Sequence, residues 1–157
     1  MTPPVLHCFY SLSSPWAYFA GPQLQDVVRR HRATLLLKPY DFQAVVPRTG
    51  GIPLRTRPEP RRTYHVPKHY PADGQPPDWN KHAGWMVIAA QLRGLDAFVL
   101  SHAILRALWA EERDIADAST RIAIADENGY DGAALQAMER SDAVQAAYRA
   151  NTEEAER

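Results

Sequence analysis

Apolar residues follow two different spacings near the start of the chain. Residues 5–10 are apolar except for His7 and rich in β-favouring side chains, which predicts a strand. From residue 16 onward apolar side chains return every third or fourth position, which predicts a helix over residues 15–30. Pro22 lies inside this helix and is expected to bend it. A second apolar run over residues 34–40 predicts a buried strand, so the three elements form a βαβ unit with parallel strands and a right-handed crossover.

The remainder of the chain divides at its last proline. All 13 prolines lie at or before Pro77, and the alanine-rich segment after it is predicted to be helical. Residues 41–77 are predicted to be irregular, with a turn at Gly50 and Gly51. Helices are then expected to begin at Asp78 or Asn80, at Asp96 or Ser101, at Asp117, at Asp131 and at Ser141. We therefore expect an α/β protein in two parts, residues 1–77 with the βαβ unit and its loop, and residues 78–157 as a helical domain whose last helix leads back to the first part.

For two of these helices the sequence also predicts which residues form the buried apolar face. The helix that ends near Leu92 is expected to bury Trp85, Ile88 and Leu92 along one side. The next helix is expected to place Leu108 and Ile115 toward the same core.

Composition and charge narrow the classes of function. The 18 basic and 18 acidic residues cancel, which argues against nucleic acid as the main partner. The single cysteine, Cys8, lies in the first apolar run and is interpreted as a core residue rather than a reactive thiol. No signal peptide and no apolar stretch long enough to cross a membrane is recognisable, so a soluble cytoplasmic protein is expected.

The turn between the first strand and the first helix is the main candidate for chemistry. Ser14 is followed by Pro15, which predicts that Ser14 caps the helix at its first turn. A helix N-terminus carries exposed N–H groups and the positive end of the helix dipole, and both favour a bound anion. An ordinary structural cap is the alternative. The large side chains of Trp16 and Tyr18 follow directly, and they could wall a pocket or fill a core.

The loop before Pro77 offers two further features. Its arginines could hold an anion beside Ser14, although a solvated loop is the more common outcome; they are Arg55, Arg57, Arg61 and Arg62. His65 and His69 have Pro67 between them, so a helical pair of metal ligands is not expected, and we predict no metal site.

Several short segments in order resemble one enzyme family. A strand, a Ser-Pro-aromatic turn, a helix, a proline-rich loop and a long helical block resemble the kappa-class glutathione transferases and the 2-hydroxychromene-2-carboxylate isomerases. The matching segments are Ser14-Pro15-Trp16-Ala17, Thr49-Gly50-Gly51-Ile52-Pro53-Leu54, Arg61-Arg62-Thr63-Tyr64, Val66-Pro67-Lys68-His69-Tyr70 and Leu108-Trp109-Ala110-Glu111-Glu112-Arg113-Asp114-Ile115. The resemblance implies a thioredoxin-like fold with an inserted helical domain, similar to that of periplasmic disulfide oxidoreductases.

The resemblance also implies a cofactor and a reaction. Ser14 would hold the sulfur of glutathione as a thiolate, and the thiolate would add reversibly to the conjugated system of an aromatic substrate. Further cofactor contacts would come from Gly51, Ile52, Pro53 and Arg61. The substrate pocket would be formed by Trp16, Tyr18, Tyr64 and Tyr70. The related enzymes are usually homodimers, so a homodimer is expected.

The chain departs from the family pattern in three places. The family often has asparagine where this chain has Gly51. The link between His65 and Val66 is shorter than expected, as if a helical piece were missing. The family also continues beyond the position of Arg157 with a β-hairpin that completes the thioredoxin half of the fold.

Three functions therefore remain open from the sequence. The first is a glutathione-dependent isomerase, and the second is a kappa-like transferase or peroxidase that consumes glutathione. The third is a thioredoxin-like binding module without catalysis. Ala17 stands where redox relatives have their second cysteine, so disulfide exchange is not expected.

Overall fold

The computed structural model describes residues 2–51, 67–69 and 78–157. These residues form strands β1 (Val5–Tyr10) and β2 (Thr34–Pro39), and helices α1 (Pro15–His31), α2 (Phe42–Arg48), α3 (Lys81–Leu92), α4 (Ala97–Trp109), α5 (Ala118–Glu127), α6 (Gly132–Met138) and α7 (Asp142–Ala155). The predicted α/β order, a βαβ unit followed by a helical block, is confirmed.

The two described strands pair in parallel, as the βαβ pattern predicts. Their register joins Val5 to Thr34 at one end and Tyr10 to Pro39 at the other. Helix α1 makes the crossover and continues through Pro22 as one helix. Its C-cap is Arg32, which takes the left-handed conformation at φ 49°.

Helix α1 does not bury the apolar stripe that its sequence carries. Trp16 is 65% exposed, Phe19 55% and Val27 43%. The helix packs against α4 through a neighbouring face instead, where Tyr18 and Gly21 meet the side chain of His102.

The prediction that residues 41–77 are irregular is wrong for its first segment, which forms α2. Asp41 caps this helix, because its side chain accepts a hydrogen bond from Ala44 N at 3.2 Å. Val45 is buried against the rest of the molecule. Pro47 falls in the last turn, where its missing N–H costs only one helical hydrogen bond. A capped, packed turn therefore forms despite the proline.

Helix α3 differs from the one-sided helix that was predicted. Every residue from Ala83 to Ala90 is buried, whereas Leu92 is 53% exposed. The helix lies among β2, α4, α6 and α7, so neighbours surround it on all sides. Helix α4 likewise ends at Trp109, and Ile115 is buried from the following turn instead.

A single apolar core joins the βαβ unit to the helices. Tyr10, Leu12 and Leu37 belong to the same buried cluster as Met86 of α3 and Leu135 of α6. The boundary proposed between residues 77 and 78 is not tested by this and stays a prediction.

An ion pair lies inside the helical block. Arg121 of α5 donates to both carboxylate oxygens of Glu139 at 2.9 Å, and both side chains are 2% exposed. Arg121 also donates to the backbone carbonyls of Ile115 and Ala116, and Nδ1 of His82 lies 3.0 Å from Glu139. These contacts tie α3 and α5 to the end of α6. Among the described helices, none combines the length and the apolarity that a bilayer crossing needs.

Candidate functional site

Ser14 occupies the N-cap of α1, and the predicted cap is confirmed. Its backbone is extended, with φ −84° and ψ 120°, and its Oγ accepts a hydrogen bond from Ala17 N at 3.2 Å. A serine hydroxyl can accept and donate at the same time. The Ser14 hydrogen therefore remains available for a ligand at the helix N-terminus.

Two other serines stabilise the turn through buried hydrogen bonds. Ser11 and Ser13 are buried, and their hydroxyl oxygens lie 2.8 Å apart. The side-chain amide of Asn80 donates to Ser13 Oγ at 3.0 Å. Asn80 immediately precedes α3 but makes no capping bond to it. The residue predicted as a possible helix cap therefore supports the turn that presents Ser14.

A cavity of about 400 Å³ opens beside Ser14. It lies between the end of β1, the first turns of α1 and the middle of α4, with Tyr40 and Phe42 at its side. Its walls are mainly aromatic and aliphatic. Among the described residues that line it, none is a lysine, arginine, aspartate or glutamate.

Helix α4 supplies the wall opposite Ser14, which the sequence interpretation did not foresee. Phe98, Ser101 and His102 line the cavity from this helix. The Tyr10 hydroxyl and Ser101 Oγ lie 2.6 Å apart in the interior and join β1 to α4. Burial raises the pKa of Tyr10 well above its usual range, so the phenol stays neutral. The available signal was a serine next to a histidine in a helix whose only other polar residue is Arg106.

His102 is the one imidazole among the described lining residues. Its ring stacks on Tyr18 at 5.4 Å between centroids and lies nearly parallel to Phe98 at 6.1 Å. Nδ1 is buried and has no hydrogen-bond partner among the described residues. Burial, and to a smaller extent the positive charge of Arg106, lowers the pKa of His102.

Cys8 also lines the cavity but is poorly placed for redox chemistry. Burial raises the pKa of its thiol, so the thiolate is disfavoured at neutral pH. It is the only cysteine in the sequence. Ser14 and Ala17 occupy the two positions at which the redox relatives carry cysteines. Among the described residues, no three histidine, cysteine or carboxylate side chains lie close enough together to bind a metal.

The structure brings part of the predicted site together. Ser14 and Trp16 both line the cavity, and Trp16 stands at its exposed edge. Tyr18 lies behind the wall, against His102, rather than among the lining residues. Gly51 is exposed after α2 and is not among them either.

The other predicted contacts lie outside the described residues. They are Ile52, Pro53, Arg61, Tyr64 and Tyr70, together with the remaining arginines of the loop and the His65–Val66 link. Their assignment to the site stays a prediction.

A parallel βαβ unit whose strand-to-helix turn opens on a cavity, joined to a helical block, places the chain among the α/β proteins, and the family comparison identifies the class as thioredoxin-like. The family model of the DSBA-like thioredoxin domain matches residues 5–157, and the chain belongs to this family. The family includes 2-hydroxychromene-2-carboxylate isomerases and kappa-class glutathione transferases, so the resemblance found in the sequence is confirmed at this level.

One solved structure shows the same fold. It is described as a "putative protein disulfide isomerase from Nitrosomonas europaea" and superposes with a TM-score of 0.68 at 16% sequence identity. The match covers 96% of this chain and 77% of that chain. The comparison with curated proteins gives no match.

Proposed function

We propose that this protein is a glutathione-dependent isomerase of the 2-hydroxychromene-2-carboxylate type. One observation carries the proposal: Ser14 caps α1 at the edge of a largely apolar cavity, and its hydroxyl donates to no other group among the described residues. The family adds support, because its members include such isomerases.

The residues of the turn fit the sulfur of glutathione. A free thiol has a pKa near 8.5, so a neutral solution contains little thiolate unless the protein favours the anion. The hydroxyl of Ser14 and the N-terminus of α1 are two such features. When bound, glutathione supplies the thiolate that adds reversibly to the conjugated substrate. Arg61, outside the described residues, is proposed as a further contact for the cofactor.

The remaining cavity residues suit a flat aromatic substrate. Trp16, Phe42 and Phe98 are aromatic residues that line the cavity from three different elements. Offset or edge-on contacts between aromatic rings are each worth about 0.5–1.5 kcal/mol beyond simple burial. Cys8 does not compete as a nucleophile, because burial keeps its thiol protonated.

A pH–rate profile of the Ser14→Ala variant tests the proposal. The change removes one hydrogen bond to a charged group, which is worth about 1.5–3 kcal/mol. The kinetic pKa of the bound thiol should therefore rise by roughly one to two units, since one unit corresponds to about 1.36 kcal/mol. Activity with glutathione and a hydroxychromene carboxylate should fall at neutral pH and recover partly in alkaline buffer.

Ser141→Ala is the matched control, because Ser141 caps α7 in the same way and does not line the cavity. Both variants should melt at a slightly lower temperature, but only Ser14→Ala should shift the pH profile. If the wild-type protein shows no turnover with glutathione, the proposal is wrong. If glutathione is consumed and conjugates accumulate, the transferase replaces the isomerase.

A further inference from the structure

His102 is a polar residue on the cavity wall that the proposed function does not use. It lies on α4, opposite the helix that carries Ser14, and it lines the same cavity. We infer that His102 positions the substrate by donating a hydrogen bond from Nε2 to an oxygen atom of the aromatic ligand. The inference rests on the proposed function for the identity of the substrate, but not for the donor itself.

The packing of the ring against α1 decides which nitrogen carries the proton. A Cβ atom built on Gly21 would lie 2.6 Å from Nδ1 and 2.8 Å from Cε1 of His102. Only glycine permits so close an approach, and the atom of Gly21 that faces the ring is therefore a Cα hydrogen. A C–H group can donate a weak hydrogen bond to a lone pair but cannot accept a hydrogen bond from an N–H group.

The buried Nδ1 is consequently more stable without a proton than with one. A proton on Nδ1 would be an N–H group with no acceptor among the described residues, and such an unpaired buried donor is costly. A neutral imidazole with an unprotonated Nδ1 must hold its proton on Nε2. Nε2–H is then the donor that His102 can offer to the cavity.

The ring is also held in a fixed orientation before any ligand binds. Tyr18 stacks on it with 24° between the ring planes, and the plane of Phe98 differs from it by only 4°. A donor held in this way loses little conformational freedom when a ligand binds. Because the described lining has no lysine or arginine, this donor is well suited to select where an oxygen of the ligand lies.

Nitrogen-15 NMR of the protein alone tests the tautomer without reference to any activity. His102→Gln, which removes one set of imidazole signals, assigns the resonances. We expect a protonated, pyrrole-like Nε2 and an unprotonated, pyridine-like Nδ1 at neutral pH. The reverse tautomer, or two nitrogens averaged by exchange, would overturn the inference.

Binding of three naphthalene probes tests the role. Naphthalene has no oxygen, 2-acetylnaphthalene carries a carbonyl and 2-naphthoate carries a carboxylate, so the last two separate a neutral acceptor from an anionic one. In His102→Phe the ring stack persists without a donor. Dissociation constants, measured by fluorescence anisotropy, should rise up to about 10-fold for 2-acetylnaphthalene and by more than about 10-fold for 2-naphthoate, and should stay unchanged for naphthalene.

His102→Gln serves as the rescue variant, since its amide nitrogen reaches close to the place of Nε2. It should retain most of the affinity, whereas His102→Asn, whose amide mimics Nδ1, should not. Equal losses for all three probes would indicate a packing role and would contradict the inference, as would a wild-type protein that binds none of them. If the probes behave as expected but glutathione supports no turnover, the proposed function fails while the role of His102 stands.

Discussion

At the scale of single residues, one hydroxyl group has two tasks in this protein. Ser14 accepts a hydrogen bond from Ala17 and so completes the first turn of α1. Among the described residues this hydroxyl has no hydrogen-bond acceptor, so it can still donate to a ligand. The structural and the chemical interpretation of this serine are therefore compatible, and the proposed experiment separates them by measuring stability and pH dependence in the same variants.

Because the pKa of His102 is lowered in the native state, we expect the free energy of unfolding to depend on pH. In the unfolded chain the imidazole takes up a proton near pH 6.5, whereas burial and Arg106 oppose protonation in the native state. The unfolded state then binds more protons, so this stabilising contribution is present above about pH 6.5 and is lost as the pH falls below it.

Urea unfolding of the wild type and of His102→Phe between about pH 7.5 and pH 5 measures this contribution. The wild type should lose more free energy of unfolding over this interval than the variant does, because the other titrating groups are common to both. Parallel pH dependences for the two proteins would contradict the prediction.

At the scale of elements, α1 and α4 meet where a side chain approaches a backbone. Gly21 leaves room for His102, and an added Cβ would stand closer than van der Waals contact allows. Elsewhere in a helix, alanine in place of glycine is stabilising by about 1 kcal/mol. Here overpacking, typically about 1–3 kcal/mol, opposes that gain.

We therefore expect Gly21→Ala to lower the free energy of unfolding by roughly 1 kcal/mol in the wild-type background. In a His102→Ala background the clash is absent, and the same change should be neutral or stabilising. Chemical denaturation of the wild type, Gly21→Ala, His102→Ala and the double variant gives the coupling free energy between the two residues directly. An identical effect in both backgrounds would show that the two residues do not interact in this way.

At the scale of the whole molecule, the helical block contains a buried ion pair. Arg121 and Glu139 pair in the interior, and the guanidinium also holds two backbone carbonyls. Removing one partner of a buried ion pair leaves an uncompensated charge and usually costs about 3–5 kcal/mol.

Glu139→Gln keeps the shape of the side chain and removes its charge. We expect it to lower the free energy of unfolding by about 3–5 kcal/mol, measured by denaturant titration. Asp26→Asn is the control, since Asp26 pairs with Arg29 and Arg30 on the surface and should contribute little. A Glu139→Gln protein as stable as the wild type would show that Arg121 is adequately held by its carbonyl partners alone.

Local signals in the sequence account for most of the elements. The structure confirms Ser14 as the cap of α1 with Pro15 at the first helical position. It also confirms the predicted caps of α5, α6 and α7, which are Asp117, Asp131 and Ser141. Caps and apolar spacing depend on residues within a few positions of each other, so the sequence displays them directly. The order of its motifs also indicated the family to which the chain belongs.

The tertiary structure alone decided which faces of these elements meet. It turned the apolar stripe of α1 partly outward, surrounded α3 on all sides and brought His102 against Gly21. It also joined Asn80 to Ser13 and Arg121 to Glu139. Each of these contacts links residues that are distant in sequence or on different elements, and their partners are set by packing across the core. Amphipathic spacing states that a helix has a buried side, but the neighbours that the chain folds against it determine which side that is.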